Sequence, residues 1–243
     1  MISRSPRKHQ TIALSKKTKR ERQAVVYLLL FLAGMAAGAL AFFIVMLQGY
    51  VPTTVLQAVE DVPVMKQVPK PDMEEAYLTP NEFSRPETPL TTVNGIVVHY
   101  VANPGSSAMD NRNYFEGLKD SGATYASSNF IVGLTGEIVA CVPVNEVAYC
   151  SNQRNDDTLS IECCHMDETG EFNDNTYQSL VHLTAWLCGQ YNLTADRIIR
   201  HYDVTGKNCP KYYVEHENAW KQFKLDVEAY IAKKGKDPRA TKE

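Results

Sequence analysis

The sequence predicts an α/β fold, with a mixed central β-sheet flanked by helices and one membrane-spanning helix in front of it. Three observations carry this reading. Short apolar runs recur between turn signals through the second half of the chain. Two later stretches repeat apolar residues at helical spacing. A long uncharged run stands near the N-terminus, between a basic head and an acidic body. Strands mixed with helices define a layered α/β architecture.

Charge divides the chain first. Residues 1–23 carry eight Lys/Arg against one acid, Glu21, while the other 220 residues hold 17 basic and 27 acidic side chains. The formal net charge of −3 gives no footprint for a nucleic-acid partner. With 44% hydrophobic and 22% charged residues, the 243-residue chain is no collagen, coiled coil or wholly disordered segment. From Ala24 to Leu47 no residue is charged. As a helix that run reaches about 36 Å, enough to cross a hydrocarbon core of ~30 Å. It exceeds the apolar core of a cleaved signal peptide, although small residues such as Ala39 and Ala41 occur in it. Residues 1–23 therefore read as a cytoplasmic tail and 24–47 as an uncleaved signal anchor. Lys/Arg beside a span stay inside, which puts the body outside the cell membrane as a single-pass protein. Residues 48–89 read as an extracytoplasmic linker, since 50–89 hold seven of the twelve prolines and no glycine.

Residues 90–243 then form one domain. Asn94-Gly95 is a turn signal before the apolar run 96–98. Runs 130–132 and 138–142 flank Gly133 and Gly136, as in a hairpin. Residues 158–164 make another strand. Leu180, Val181, Leu187, Cys188 and Tyr191 share one face of a helix. Ile198-Ile199 is a short strand that runs into Arg200 and His201. Trp220, Phe223, Val227, Tyr230 and Ile231 mark a C-terminal amphipathic helix.

The richest stretch for chemistry is His201 to Pro210. His201 and Cys209 lie eight positions apart on a segment broken by Gly206 and Pro210, so it can turn back on itself. Imidazole nitrogen and thiolate sulfur both suit zinc, and His99 at the end of its strand offers a third ligand. Three protein ligands leave one tetrahedral position open, as in catalytic sites. By spacing alone, His99 also fits a hydrogen-bonded strand end, and Cys209 a buried apolar residue or disulfide partner.

The chain also resembles a known family over roughly residues 92–234. The matching stretches are GIVVHY, NPGSSAMDNRNYFEGL, SSNFIVGLTGEI, SIECCH and RHYDVTGKNCP. They are similar to the zinc-dependent N-acetylmuramoyl-L-alanine amidases of the phage-lysozyme and peptidoglycan-recognition type. The resemblance implies a Zn2+ ion on His99, His201 and Cys209, with Lys207 supporting the oxyanion and Glu162 as general base. Together with the expected anchor over 24–47, it implies a membrane-anchored hydrolase that cuts the amide between N-acetylmuramic acid and L-alanine of peptidoglycan by zinc-activated water. The alternative is a non-catalytic peptidoglycan-binding module of the same fold, whose members typically lack the ligand Cys. One departure stands out: Ser128 and Asn129 occupy the place where phage-type members carry a catalytic Tyr, and Tyr125 does not inherit that role. Adjacent Cys163 and Cys164 point to opposite faces of a strand, which disfavours a metal site with His165. His182 and His216 read as surface or capping residues and Cys188 as core. Cys141 and Cys150, which flank a loop, are candidates for a disulfide in an oxidising compartment.

Overall fold

The computed structural model describes residues 23, 26–35, 38–39 and 64–240. The chain divides into two units, Met1–Val62 and Pro63–Glu243. In the first unit residues 26–35 are helical and expose their apolar side chains, Leu30 at 64% and Phe31 at 65% among them. Among the described residues no helix is long and apolar enough to cross a membrane. Much of the expected anchor over 24–47, and residues 48–63 of the expected linker, lie outside the described residues.

The second unit is built on a six-stranded sheet. Its strands are β1 (Glu74–Glu75), β2 (Gly95–Tyr100), β3 (Phe130–Val132), β4 (Ile138–Ala140), β5 (Thr158–Cys163) and β6 (Ile198–Arg200). Their order is β1-β4-β3-β5-β2-β6, and only the β3–β4 pair is antiparallel. The helices are α1 (Ala108–Ser121), α2 (Asp174–Tyr191), α3 (His201–Thr205), α4 (Lys211–Glu215) and α5 (Glu217–Lys234).

Period-two alternation splits the sheet between two cores. Ile96, Val98, Phe130, Val132, Leu159 and Ile161 pack with Leu180 and Leu187 of α2 and Phe223 and Val227 of α5. Ile131 and Val139 point the other way, to Phe115 and Leu118 of α1. Cys163 belongs to the first core and Cys164 to the second, as the strand argument requires. Because both faces are covered, β2, β3 and β4 carry continuous apolar runs, whereas β5 (TLSIEC) alternates.

Caps set the helix ends. Ser107 and Asp110 form a capping box at α1, with Asp110 N–H donating to Ser107 Oγ at 3.1 Å and Ser107 N–H to Asp110 Oδ2 at 3.0 Å. Gly122 closes α1 with a φ of 59°, a conformation in which a Cβ would be strained. Asn173 caps α2, and its side chain accepts from Thr176 N–H at 3.0 Å.

The structure moves the start of the domain. Residues 64–89, expected within the linker 48–89, are part of the folded unit. Gln67 and Lys236 exchange backbone hydrogen bonds of 2.8 and 3.0 Å. β1 adds an edge strand beside β4, and Val68 and Leu78 are buried. Arg85 grips Glu146 with two bonds of 2.8 Å. The prolines here keep the chain extended, and an extended chain is what an edge strand needs. The disulfide weighed between Cys141 and Cys150 is not formed: both are free thiols. Cys141 turns towards Val139 O within the α1-side core, and Cys150 faces Glu162.

Candidate active site

The site forms at the C-terminal ends of three neighbouring parallel strands, a usual place for ligands in α/β sheets. β2 lies between β5 and β6. Its His99 is in register with Glu162 of β5, and Glu162 is in register with Ile131 of β3. These three side chains therefore share the α1 face of the sheet. His201 is the first residue of α3, directly after β6. The chain then reverses at Gly206, whose φ is 79°. That turn returns Cys209 to the start of α3, where Tyr202 N–H donates to Cys209 O at 2.9 Å.

The three residues expected to bind metal come together. His99 Nδ1 lies 3.1 Å from His201 Nδ1 and 3.8 Å from Cys209 Sγ. One ligand atom from each lies within 4.8 Å of the others, and all three residues are buried. The outer nitrogens are also held. His201 Nε2 sits 2.8 Å from Asn152 Oδ1, and His99 Nε2 sits 3.2 Å from Ser151 Oγ. Asn152 Oδ1 can only accept, so His201 carries its proton on Nε2 and turns the Nδ1 lone pair inward. Burial lowers the pKa of both rings, helped by the Lys207 charge and, at His99, by His201. Both imidazoles are thus neutral, the form that ligates metal. Burial pushes the Cys209 thiol up to about 12, so a thiolate here calls for a cation. Two inward nitrogens and a sulfur with fixed outer hydrogen bonds fit a zinc ligand set.

Glu162 stands beside this group. Its Oε1 accepts from Cys150 Sγ at 3.5 Å, and its Oε2 is buried without a hydrogen-bond partner. Desolvation raises the carboxyl to about 8, against lowering contributions from Cys150 and Lys207. Lys207 is exposed and lines the same cavity of about 400 Å³, together with Phe115, Tyr125, Tyr149, Asn152 and Asn155.

The remaining sequence candidates have other work. Ser128 Oγ donates to Ser160 O at 3.1 Å, and Asn129 Oδ1 accepts from Ser160 N–H at 3.0 Å, so both tie the start of β3 to β5. His165 is buried against Tyr100, with Nδ1 2.7 Å from Asp167 O. His182 is partly buried and holds Pro69 O at 2.9 Å, docking residues 64–89 on α2. His216 joins α4 to α5 and stacks on Tyr212. Cys188 is core. Spacing gave no sign of Cys150, Ser151 and Asn152. They reach the site because Asn155 Oδ1 accepts the N–H groups of Cys150 and Ser151 at 3.1 and 2.6 Å.

A mixed sheet that gathers two His and one Cys at its strand ends, beside an acid in an open cleft, offers the donor set of a metal centre next to a proton-transfer group. The model of the N-acetylmuramoyl-L-alanine amidase family matches residues 89–212, and the chain belongs to that family. A probable N-acetylmuramoyl-L-alanine amidase of Bacillus licheniformis is 34% identical over 170 residues, which cover 65% of this chain and 48% of that one. The N-acetylmuramoyl-L-alanine amidase BlyA of Bacillus subtilis is 31% identical over 180 residues, covering 65% and 47%. The chain thus spans about half the length of these curated relatives. The catalytic domain of XlyA shares the fold, with a TM-score of 0.55 at 23% identity over 65% of this chain and 99% of that one.

Proposed function

We propose that the protein is a peptidoglycan hydrolase of the cell membrane. It cleaves the amide between the lactyl group of N-acetylmuramic acid and L-alanine of the stem peptide. The observation that carries this reading is the meeting of His99, His201 and Cys209 beside Glu162, in a chain of the amidase family. His99, His201 and Cys209 would hold zinc. The chemistry zinc supplies when bound is Lewis acidity towards a carbonyl oxygen and towards water.

The chain's own groups do the rest. Glu162 takes the proton of the attacking water and passes it to the leaving amine nitrogen. A carboxyl lifted to about 8 is a strong enough base to take a proton and a good enough acid to return it. Lys207 faces the cleft with a cation for the developing oxyanion. Tyr125 and Tyr149 meet edge-on at 5.6 Å and give the cleft an aromatic wall. Residues 24–47 support the membrane placement, by their unbroken uncharged run and the basic residues before it.

The test is to incubate the full chain with peptidoglycan, with and without chelator, and identify products by mass spectrometry. Free stem peptides beginning with L-alanine, lost on chelation and restored by zinc, are the expected result. Intact peptidoglycan that retains the protein would instead make this a binding module. Cys209→Ser should weaken zinc retention, since a hydroxyl replaces thiolate poorly. Metal analysis showing undiminished zinc in that variant would remove Cys209 from the ligand set.

A further inference from the structure

We propose that His99, Cys150 and Glu162 form a second divalent-cation position, filled when zinc or cadmium is in excess and sharing the His99 ring with the set of His201 and Cys209. One ligand atom from each of the three lies within 4.8 Å of the others. Cys150 has no part in the first set, though its neighbours Ser151 and Asn152 hold the rings of that set. Its sulfur is 3.5 Å from Glu162 Oε1. The other oxygen, Oε2, is buried with no hydrogen-bond partner, an expensive arrangement for a carboxylate that a cation would relieve.

The set is also held in place. Glu162 sits on an inner strand between β2 and β3. Cys150 is fixed by its N–H bond to Asn155 Oδ1 at 3.1 Å. Nitrogen, sulfur and oxygen donors together select zinc or cadmium over magnesium or calcium, which want oxygen alone. His99 serves both positions as a bridging imidazolate, one ring nitrogen on each ion, and its ring proton passes to solvent in exchange for the contact between Nε2 and Ser151 Oγ. On binding, the Cys150 thiol gives its proton to solvent. Thiolate and carboxylate together then balance the two positive charges of the ion.

The experiment is a metal titration of the metal-stripped full chain in mild detergent. Bound zinc and cadmium are counted by equilibrium dialysis. The thiolate-to-cadmium charge-transfer band is followed in the ultraviolet. The expected result is two equivalents for the unaltered chain, the second weaker, and one for Cys150→Ser. A Cys209→Ser chain should keep a cadmium–thiolate band that Cys209→Ser/Cys150→Ser loses. One equivalent in the unaltered chain, or two in Cys150→Ser, overturns the proposal. A consequence for turnover rests on the role proposed above for Glu162: an ion there takes up its carboxylate, so zinc beyond one equivalent should slow hydrolysis. Two bound equivalents with undiminished turnover would support the metal position and remove Glu162 as the base.

Discussion

Glu162 is the residue whose environment says most about its task. Glu162→Gln keeps shape and leaves His99, His201 and Cys209 in place, so metal content at one equivalent of zinc should hold while turnover falls by ~10²-fold or more. The same residue governs stability in the metal-free protein. Its carboxyl is raised from 4.5 to about 8 on folding, so between those values the folded state holds a proton that the unfolded state has lost. Stability must therefore fall as pH rises through that window. His99 and His201, lowered from 6.5, work in the opposite sense only below their unfolded value. Between pH 7 and 8 the Glu162 effect leads, joined towards pH 8 by the buried thiols, whose pKa is likewise raised on folding. Melting of the chelator-treated protein should shift downward across that interval, and Glu162→Gln should flatten the slope. His99, His201 and Cys209 could be read as one set only with the family resemblance, because spacing alone left a hydrogen-bonded strand end and a buried thiol open. Cys150 was not legible, because an asparagine four or five residues onward steers its loop and leaves no periodic mark.

Glycines make the element scale testable. A Cβ on Gly189 of α2 would stand 2.9 Å from Lys66 O and 3.3 Å from Gln67 Cα. Gly189→Ala should lose about 1–3 kcal/mol to that clash, more than the ~1 kcal/mol gained in helix propensity. Faster proteolysis around residues 64–67 and a lower Tm would report it. Gly117 of α1 has nothing within 4 Å of its Cβ position, so Gly117→Ala should stabilise by ~0.5–1 kcal/mol. β2, β3 and β4 were readable by their unbroken apolar runs, and β5 by its strict alternation. β1 was not: it is two glutamates, and the backbone of β4 alone makes them a strand. α1 buries only Ala108, Asn111, Phe115 and Leu118, too thin a stripe for periodicity to announce. Its Ser107–Asp110 box and Gly122 were the signals available.

For the whole molecule, the span before residue 90 decides what counts as the domain. A fragment starting at 90 lacks β1, Val68, Leu78 and the Arg85–Glu146 pair. Measured against one starting at 63, it should lose on the order of 3–6 kcal/mol from the two apolar side chains alone. Denaturant titration of both fragments checks this. The proline pattern concealed that boundary, because extended chain looks alike whether it is free or laid along a sheet. The far end of the chain matters equally. Arg200, beside His201, is buried and reaches Asp203, Tyr213 O and Glu217 at 2.7–2.9 Å, between the rings of Tyr202 and Trp220. Glu217 and Trp220 belong to the last helix. During synthesis the ribosome must therefore release α5 before Arg200 is fully held, and with it the turn that presents His201. Until α5 has formed, the segment that carries His201 lacks the anchor that Glu217 and Trp220 give Arg200.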